Sequence, residues 1–386
     1  MDSFLDIFDL SLNKKGEELC GDRVRFRKTP EKTTIVLSDG LGSGVKANIL
    51  ATLTTEILIS MLNEDVPLEE VIKTVIGTLP ICQVRKIAYA TFTILQIDNH
   101  TDLFKVINFD NPPPFYFDQG KMVKLEGKTE KILEKKITLY EGRLKEGDFL
   151  GCMSDGVLYA GLGVALNFGW GWDNVAQYIE GLFLTQTRNA RRIVQKTIAE
   201  THSLYRGKIG DDATFVGVYV RQRNPLMIFT GPPLDQSLDQ QYVERLLTFE
   251  GRKVVCGGTT GNIVAKYLGE TIEMDISTMR RDLPPIGKLS TIDLVTEGIL
   301  TLSKCLDVLK NCNCDITRLP SDQNGSVLLA KEILQADSIL FMVGQKINEF
   351  YQNPLLPKNI SIRRSLVEEV VKFLRDKQKE VTLEYC

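Results

Sequence analysis

Histidine is almost missing from this chain of 386 residues: His100 and His202 are the only two. A zinc site built on imidazole, or a Ser-His-Asp triad, is hard to assemble from so few. Cysteine pairs at metal-binding spacing are missing too. Cys20, Cys82, Cys152, Cys256, Cys305, Cys312, Cys314 and Cys386 include no CxxC, and their scatter through a long chain fits reduced thiols rather than a disulfide framework. The closest approach to a cluster, Cys305, Cys312 and Cys314, is read as structural. Any metal is therefore expected to be a hard ion held by carboxylates.

No charge of one sign dominates. Lys and Arg number 47 and Asp and Glu 50, for a net charge of −3, which leaves no electrostatic footprint for nucleic acid or an anionic membrane. The opening MDSFLDIF has early acids in place of a basic-then-apolar leader. One uncharged run, 156–172, falls short of the roughly 20 residues a spanning helix needs and is broken by glycines, so it is read as buried or loop-forming. A soluble, cytoplasmic protein without nucleic-acid or membrane partners is expected.

The chain is long for one hydrophobic core, so two domains are expected. The seam is RQRNPLMIFTGPPLDQ, where Asn-Pro and Gly-Pro-Pro read as linker punctuation. The expected division is a domain over 1–222, a linker over 223–236 and a second domain over 237–386. Before the seam, strands are predicted at 24–28, 33–37, 88–97, 103–109, 115–117, 121–125, 149–153 and 213–220. Helices are predicted at 43–62, 67–79, 173–184 and 188–204. The first helix should bury Leu50, Leu53, Thr54, Ile57, Leu58 and Met61, and Pro80 should end the second. Grouped strands and grouped helices indicate α+β, with antiparallel sheets flanked by helices. Beyond the seam, short apolar strands alternate with helices, predicting a smaller α/β domain with a mainly parallel sheet.

Three apolar strands meet acids in one design: IVLSDG runs into Asp39-Gly40, FLGCMSDG into Asp155-Gly156, and Asp211-Asp212 open the strand of GDDATFVGVYV. A carboxylate at a strand end is held rigidly yet can face a cleft, and glycine lets the backbone approach closely or turn sharply. Taken alone, an Asp-Gly is a turn as readily as a ligand. Several converging carboxylates repel one another unless a cation such as Mg²⁺ or Mn²⁺ joins them. SDGLGSGVKAN adds a glycine-punctuated loop opening onto a helix, a place that favours phosphate. It lacks the Lys-Ser/Thr ending of a P-loop and any G-x-G-x-x-G, and Lys46 reads as a solvated helix lysine.

Together these strings resemble a known family. CGD, SDGLGSG with a helix, ATFTILQID, NPPPFYF, EGDFLGCMSDG and GDDATFV, in that order, are similar to the metal-dependent Ser/Thr protein phosphatases. The branch is the bacterial one typified by sporulation stage II protein E and related stress-response phosphatases, and the match covers about 17–222. The resemblance implies a β-sandwich flanked by helices (α-β-β-α) with two Mn²⁺ or Mg²⁺ ions. It implies hydrolysis of phosphoserine or phosphothreonine by a metal-bridging water in bacterial signalling. By position, Asp39 matches the bridging ligand and Gly40 a backbone-carbonyl ligand; Asp155 and Asp211 match ligands of the other ion. Asp22 matches an acid acting through metal-bound water, and between Asp211 and Asp212 as direct ligand the choice stays open. Leu41 and Asp110-Asn111 depart from the branch's usual residues, and no arginine stands where animal and plant relatives use one. Phosphate recognition is thus expected from metals, backbone amides and the loop 42–44.

The implied partners are a phosphorylated protein, such as an anti-sigma-factor antagonist, and a second copy of the chain as a homodimer. A small-molecule ligand is expected on the second domain, whose role is read as regulatory. There VVCGGTTGNIVAKYLG and DLVTEGILTL both place a turn between strand and helix, so Thr259 and Thr260 could bind an anion and Glu297 an amine or hydroxyl. Two rival readings are a metal-dependent hydrolase of small phosphate esters and a degenerate phosphatase fold serving as a ligand-sensing module.

Overall fold

The computed structural model describes residues 3–78, 90–132, 135–185, 188–346, 362–377 and 379–386. Pro80 and Cys82 lie outside them. The chain divides into two compact units, Met1–Gln222 and Arg223–Cys386.

The first unit opens with β1 (Ser3–Leu12), β2 (Asp22–Lys28) and β3 (Lys32–Gly40), then α1 (Gly44–Asn63) and α2 (Leu68–Thr78). Seven strands follow: β4 (Ala90–Asp98), β5 (Leu103–Phe109), β6 (Phe115–Asp118), β7 (Lys121–Val123), β8 (Lys128–Ile132), β9 (Lys135–Arg143) and β10 (Phe149–Met153). The short α3 (Asp155–Leu158), α4 (Trp172–Leu184), α5 (Ala190–Tyr205) and β11 (Ala213–Gln222) complete it. One sheet has the order β1-β11-β10-β6-β7 and the other β2-β3-β4-β5-β9-β8, and the pairing within both is antiparallel.

Strand side chains alternate faces, and here both faces of each sheet are apolar. Ile35, Leu37, Leu95 and Val106 of one sheet pack on Leu150, Val216 and Val218 of the other. On the far faces, Val36, Ile94 and Ile107 meet Leu58, Leu62, Val71 and Ile72 of α1 and α2, while Phe149, Phe215 and Tyr219 meet Val175, Ile179, Ile193 and Ile198 of α4 and α5. The α-β-β-α sandwich expected from sequence is present.

α1 packs on most of the expected face: Thr54 and Leu58 are buried, and Leu50, Ile57 and Met61 lie partly buried against the same core. It buries Gly44, Ala47, Ala51, Thr54, Thr55, Leu58, Ile59 and Leu62, leaving Leu53 exposed. Small residues extend that face towards the site: Gly40 lies so close to α1 that a Cβ there would sit 2.1 Å from the Ala47 carbonyl oxygen. The helix is seated by its small-residue face near the site and by leucines farther on. Among the described residues α1 is the one helix long and apolar enough to cross a membrane; its Leu58, Ile59 and Leu62 are packed on the sheet.

The second unit runs β12 (Pro225–Thr230), α6 (Asp239–Thr248), β13 (Arg252–Cys256), α7 (Gly258–Leu268), β14 (Glu273–Asp275), β15 (Ile286–Leu289), β16 (Ile292–Thr296), α8 (Ile299–Asn311), α9 (Gly325–Gln335), β17 (Ser338–Val343), α10 (Ile362–Asp376) and β18 (Glu380–Tyr385). The sheet order is β14-β15-β16-β13-β12-β17-β18. Five strands are parallel, and β14 and β15 pair antiparallel at one edge.

The expected linker over 223–236 is corrected here. Its residues 225–230 are β12, in the middle of the sheet between β13 and β17, with Leu226 to Phe229 buried. Pro225 is the first residue of the strand, where a missing N–H is tolerated. The prolines that read as linker bracket a core strand.

Candidate metal centre

The acids of the three dipeptides come from both sheets of the first unit. Asp22 opens β2 and is paired in register with Asp39 at the end of β3. Asp155 opens α3 directly after β10, and Asp211-Asp212 immediately precede β11. Ser154 ties the sheets together. Its amide donates to the Thr214 carbonyl (2.9 Å), its Oγ accepts from the Thr214 amide (2.8 Å), and its hydroxyl donates to Asp22 Oδ2 (2.7 Å). One buried hydroxyl thus spans from the first sheet to the second.

The glycines of the two Ser-Asp-Gly strings bring backbone to backbone. A Cβ on Gly156 would lie 2.0 Å from the Asp212 carbonyl oxygen, so the Asp155 turn and the Asp211-Asp212 turn are pressed together. Tyr205 locks the same place, its hydroxyl donating to the Gly156 carbonyl at 2.6 Å. Asp212 is buried; its Oδ1 accepts from the Lys14 amide at 2.9 Å, and its amide donates to Asp211 Oδ1 at 3.0 Å. Asp211, Asp39 and Asp155 are half-buried.

These acids act on one another. Burial raises the Asp39 carboxyl to about 9, and the charges of Asp22, Asp155, Asp211 and Asp212 push the same way. Burial lifts Asp22 to about 7 against the hydrogen bonds of Ser154 and Thr214, with Asp212 and Asp155 adding to the rise. Asp155 is raised by burial and then by Asp211. Asp211 is raised by burial, with Lys14 opposing. Three buried oxygens, Asp22 Oδ1, Asp155 Oδ1 and Asp212 Oδ2, have no hydrogen-bond partner. Buried carboxylate oxygens left so are costly unless protonated or met by a cation. An all-oxygen donor set suits Mg²⁺ or Mn²⁺, so the residues present fit such an ion. Among the described residues no group of three or more His, Cys, Asp or Glu stands drawn together as it would around an ion.

Several contributors were not visible in the sequence. Ser154 stands in the sequence only as one member of an Asp-Gly string. Asn111, in the segment that departs from the branch pattern, accepts from the Thr91 hydroxyl and donates to Thr93 Oγ1 (3.0 Å). Thr91 is the β4 partner of Asp39, so this network holds the strand beside the bridging candidate. The loop 42–44, expected to meet phosphate, already meets an acid. Ser43 Oγ donates to Glu17 Oε1 at 2.8 Å, and a Cβ on Gly44 would lie 2.2 Å from Glu17 Oε2. A phosphate would have to displace that carboxylate. Lys46 is exposed, as read.

The two helix-flanked sheets and the acids gathered at their strand ends define the fold of a PP2C phosphatase domain. A solved structure of the PP2C phosphatase domain with a fragment of the regulatory domain of SpoIIE from Bacillus subtilis matches with a TM-score of 0.50 at 23% identity, over 58% of this chain and 64% of that one. A second structure of the SpoIIE phosphatase domain from the same organism matches with a TM-score of 0.45 at 23% identity, over 58% and 95%. The chain belongs to the stage II sporulation protein E (SpoIIE) family, whose model matches residues 29–221, half of its length. Stage II sporulation protein E of Bacillus subtilis (strain 168) is 24% identical over 197 residues, which are 50% of this chain and 23% of that protein. The chain thus matches under a quarter of that relative's length.

Proposed function

We propose that residues 1–222 hydrolyse phosphoserine and phosphothreonine in a phosphorylated protein, using Mn²⁺ or Mg²⁺. The observation that carries this reading is the set of five aspartates from two sheets, three of them with a buried oxygen that lacks a partner. Asp39, the Gly40 carbonyl, Asp155 and Asp211 would hold the ions. When bound, such ions offset phosphate charge and make water a better nucleophile at neutral pH.

The chain's own residues set the stage for that. Ser154 and Tyr205 fix the Asp22 and Asp155 turns, the Lys14 amide anchors buried Asp212, and Asp211 is the less buried of the pair. On that ground Asp211 is taken as the direct ligand in this reading, and Asp22 and Asp212, each with a buried oxygen that lacks a partner, would meet the ions through bound water or directly. Family membership supports a role in bacterial partner signalling, with a phosphoprotein such as an anti-sigma-factor antagonist as substrate.

The test is hydrolysis of an aryl phosphate and of a phosphoserine protein, with Mn²⁺ and with chelator. Activity confined to the ion-loaded enzyme, and faster on the protein, is expected. Equal activity in chelator would overturn the metal reading, and activity on small esters alone would move the substrate class to small molecules.

A further inference from the structure

In the second unit, strands β16, β13, β12, β17 and β18 run parallel and so end on one side. Ligand crevices of such sheets lie beyond the carboxyl ends of the strands. β13 ends at Cys256 and passes through Gly257 into α7; β16 ends at Thr296 and passes through Glu297 and Gly298 into α8. The two connections touch, since a Cβ on Gly298 would lie 3.4 Å from the Gly257 Cα. α7 (11 residues) and α8 (13 residues) therefore start side by side, each on a glycine and neither with a cap from that residue's side chain. Helix starts present free amides and a positive dipole end.

Thr260 gives independent evidence of a missing partner. It lies in the first turn of α7 and is 1% exposed, its hydroxyl has no hydrogen-bond partner, and Oγ1 would be 3.3 Å from a Cβ on Gly257. The hydroxyl is thus turned into the connection between strand and helix. A cation also lies within electrostatic reach of this place. Arg363, near the start of α10, is half-buried, its charge acts on Cys256 and Glu297, and among the described residues its Nη1 reaches the main-chain carbonyls of Gly344 and Lys346 at 3.5 and 3.4 Å. Glu297 is the acid on the same side; its Oε2 accepts from the Leu300 amide at 3.2 Å.

We propose that the adjoining starts of α7 and α8, with Arg363, form a site for the phosphate group of a small phosphorylated molecule. The start of α7 and a guanidinium match a phosphate, α8 adding the first-turn amides that Glu297 leaves, and amides converging from two helices suit a tetrahedral oxyanion better than a planar carboxylate. Glu297, with one oxygen on Leu300, has the other for a hydroxyl of the organic part. The site does not depend on the reading of residues 1–222.

The experiment is calorimetric titration of the full chain carrying Asp39→Asn, in chelator, so that phosphate held through ions in the first unit does not contribute. Inorganic phosphate, adenosine monophosphate and citrate are the probes. Gly258→Asp is the main variant: Gly258 is exposed with open space where a Cβ would stand, and an acid in a first turn favours the helix, so the fold is kept while anions are repelled. Arg363→Gln is the second. Expected is saturable binding of phosphate or the nucleotide, at least tenfold weaker in Gly258→Asp and weakened also in Arg363→Gln. No saturable binding of either phosphate probe, binding that Gly258→Asp leaves unchanged, or tighter binding of citrate than of phosphate would overturn the proposal.

Discussion

The two units finish their strands in opposite chemistry. In residues 1–222 the strand ends carry acids, and the glycines beside them press backbone against backbone so that Asp155 and Asp212 share one corner. In residues 223–386 the strand ends carry glycine and threonine, and what faces outward is the start of a helix. The first arrangement collects negative charge with little to offset it, and the second collects amides with few acids. A rigid strand end holds whatever the next two residues supply, and those residues decide the sign of the ion that fits.

The comparison can be broken at the acids first. Asp39→Asn or Asp155→Asn is expected to lower kcat on an aryl phosphate about a thousandfold or more, equivalent to ~4 kcal/mol of barrier; a loss under tenfold would remove either residue from the site. Next is the steric lock. Gly156→Ala places a methyl 2.0 Å from the Asp212 carbonyl oxygen and should cost about 3 kcal/mol in urea unfolding. Gly258→Ala, with open space around it, should change stability by less than ~1 kcal/mol. Equal costs at the two glycines would contradict the contrast.

Ser154→Ala removes the hydroxyl between Asp22 and Thr214, and leaving those groups unpaired should cost about 1–3 kcal/mol, read in the same unfolding experiment. A pH series sharpens the comparison further. Asp39, raised from 3.8 to about 9, keeps its proton in the folded chain where the unfolded chain has lost it. Its contribution is therefore fully present below about pH 4 and lost as pH rises towards 9. In chelator the melting temperature of the first unit should fall from pH 5 to 9, and Mn²⁺ should reverse that slope. A flat profile in chelator would mean the carboxylates do not burden one another.

Much of the first unit was legible because its strands alternate and its motifs sit at strand ends. β3, β4, β5, β10 and β11 follow from apolar runs bounded by turns. β1 and the β8–β9 hairpin escaped. SFLDIFDLSL splits its apolar residues between two faces, with Leu5 and Ile7 turned to the sandwich interior and Phe8, Leu10 and Leu12 to the helices, and β8 is rich in lysine and glutamate at a sheet edge. The linker reading failed because proline marks a strand's first residue as well as a turn. On α1 the expected face holds except at Leu53, which is exposed, because periodicity weighs leucine over alanine whereas Gly40 admits only small residues near the site.

Of the site, the acids were legible and their supports were not. Asp39, Asp155 and Asp211 end or begin apolar strands, a pattern visible in one dimension. Ser154 joining Asp22 to Thr214 spans residues 132 and 60 positions apart, and Glu17 over the start of α1 is 26 positions from Ser43. Such pairings exist only once the sheets are stacked.

The most direct measurement is Mn²⁺ titration followed by electron paramagnetic resonance, on the unaltered chain and on Asp39→Asn and Asp155→Asn. Saturable loss of the free-ion signal in the unaltered chain, abolished or at least tenfold weaker in both variants, is expected if the aspartates of the two sheets share an ion. Binding of equal strength in all three proteins, or none in the unaltered chain, would contradict it.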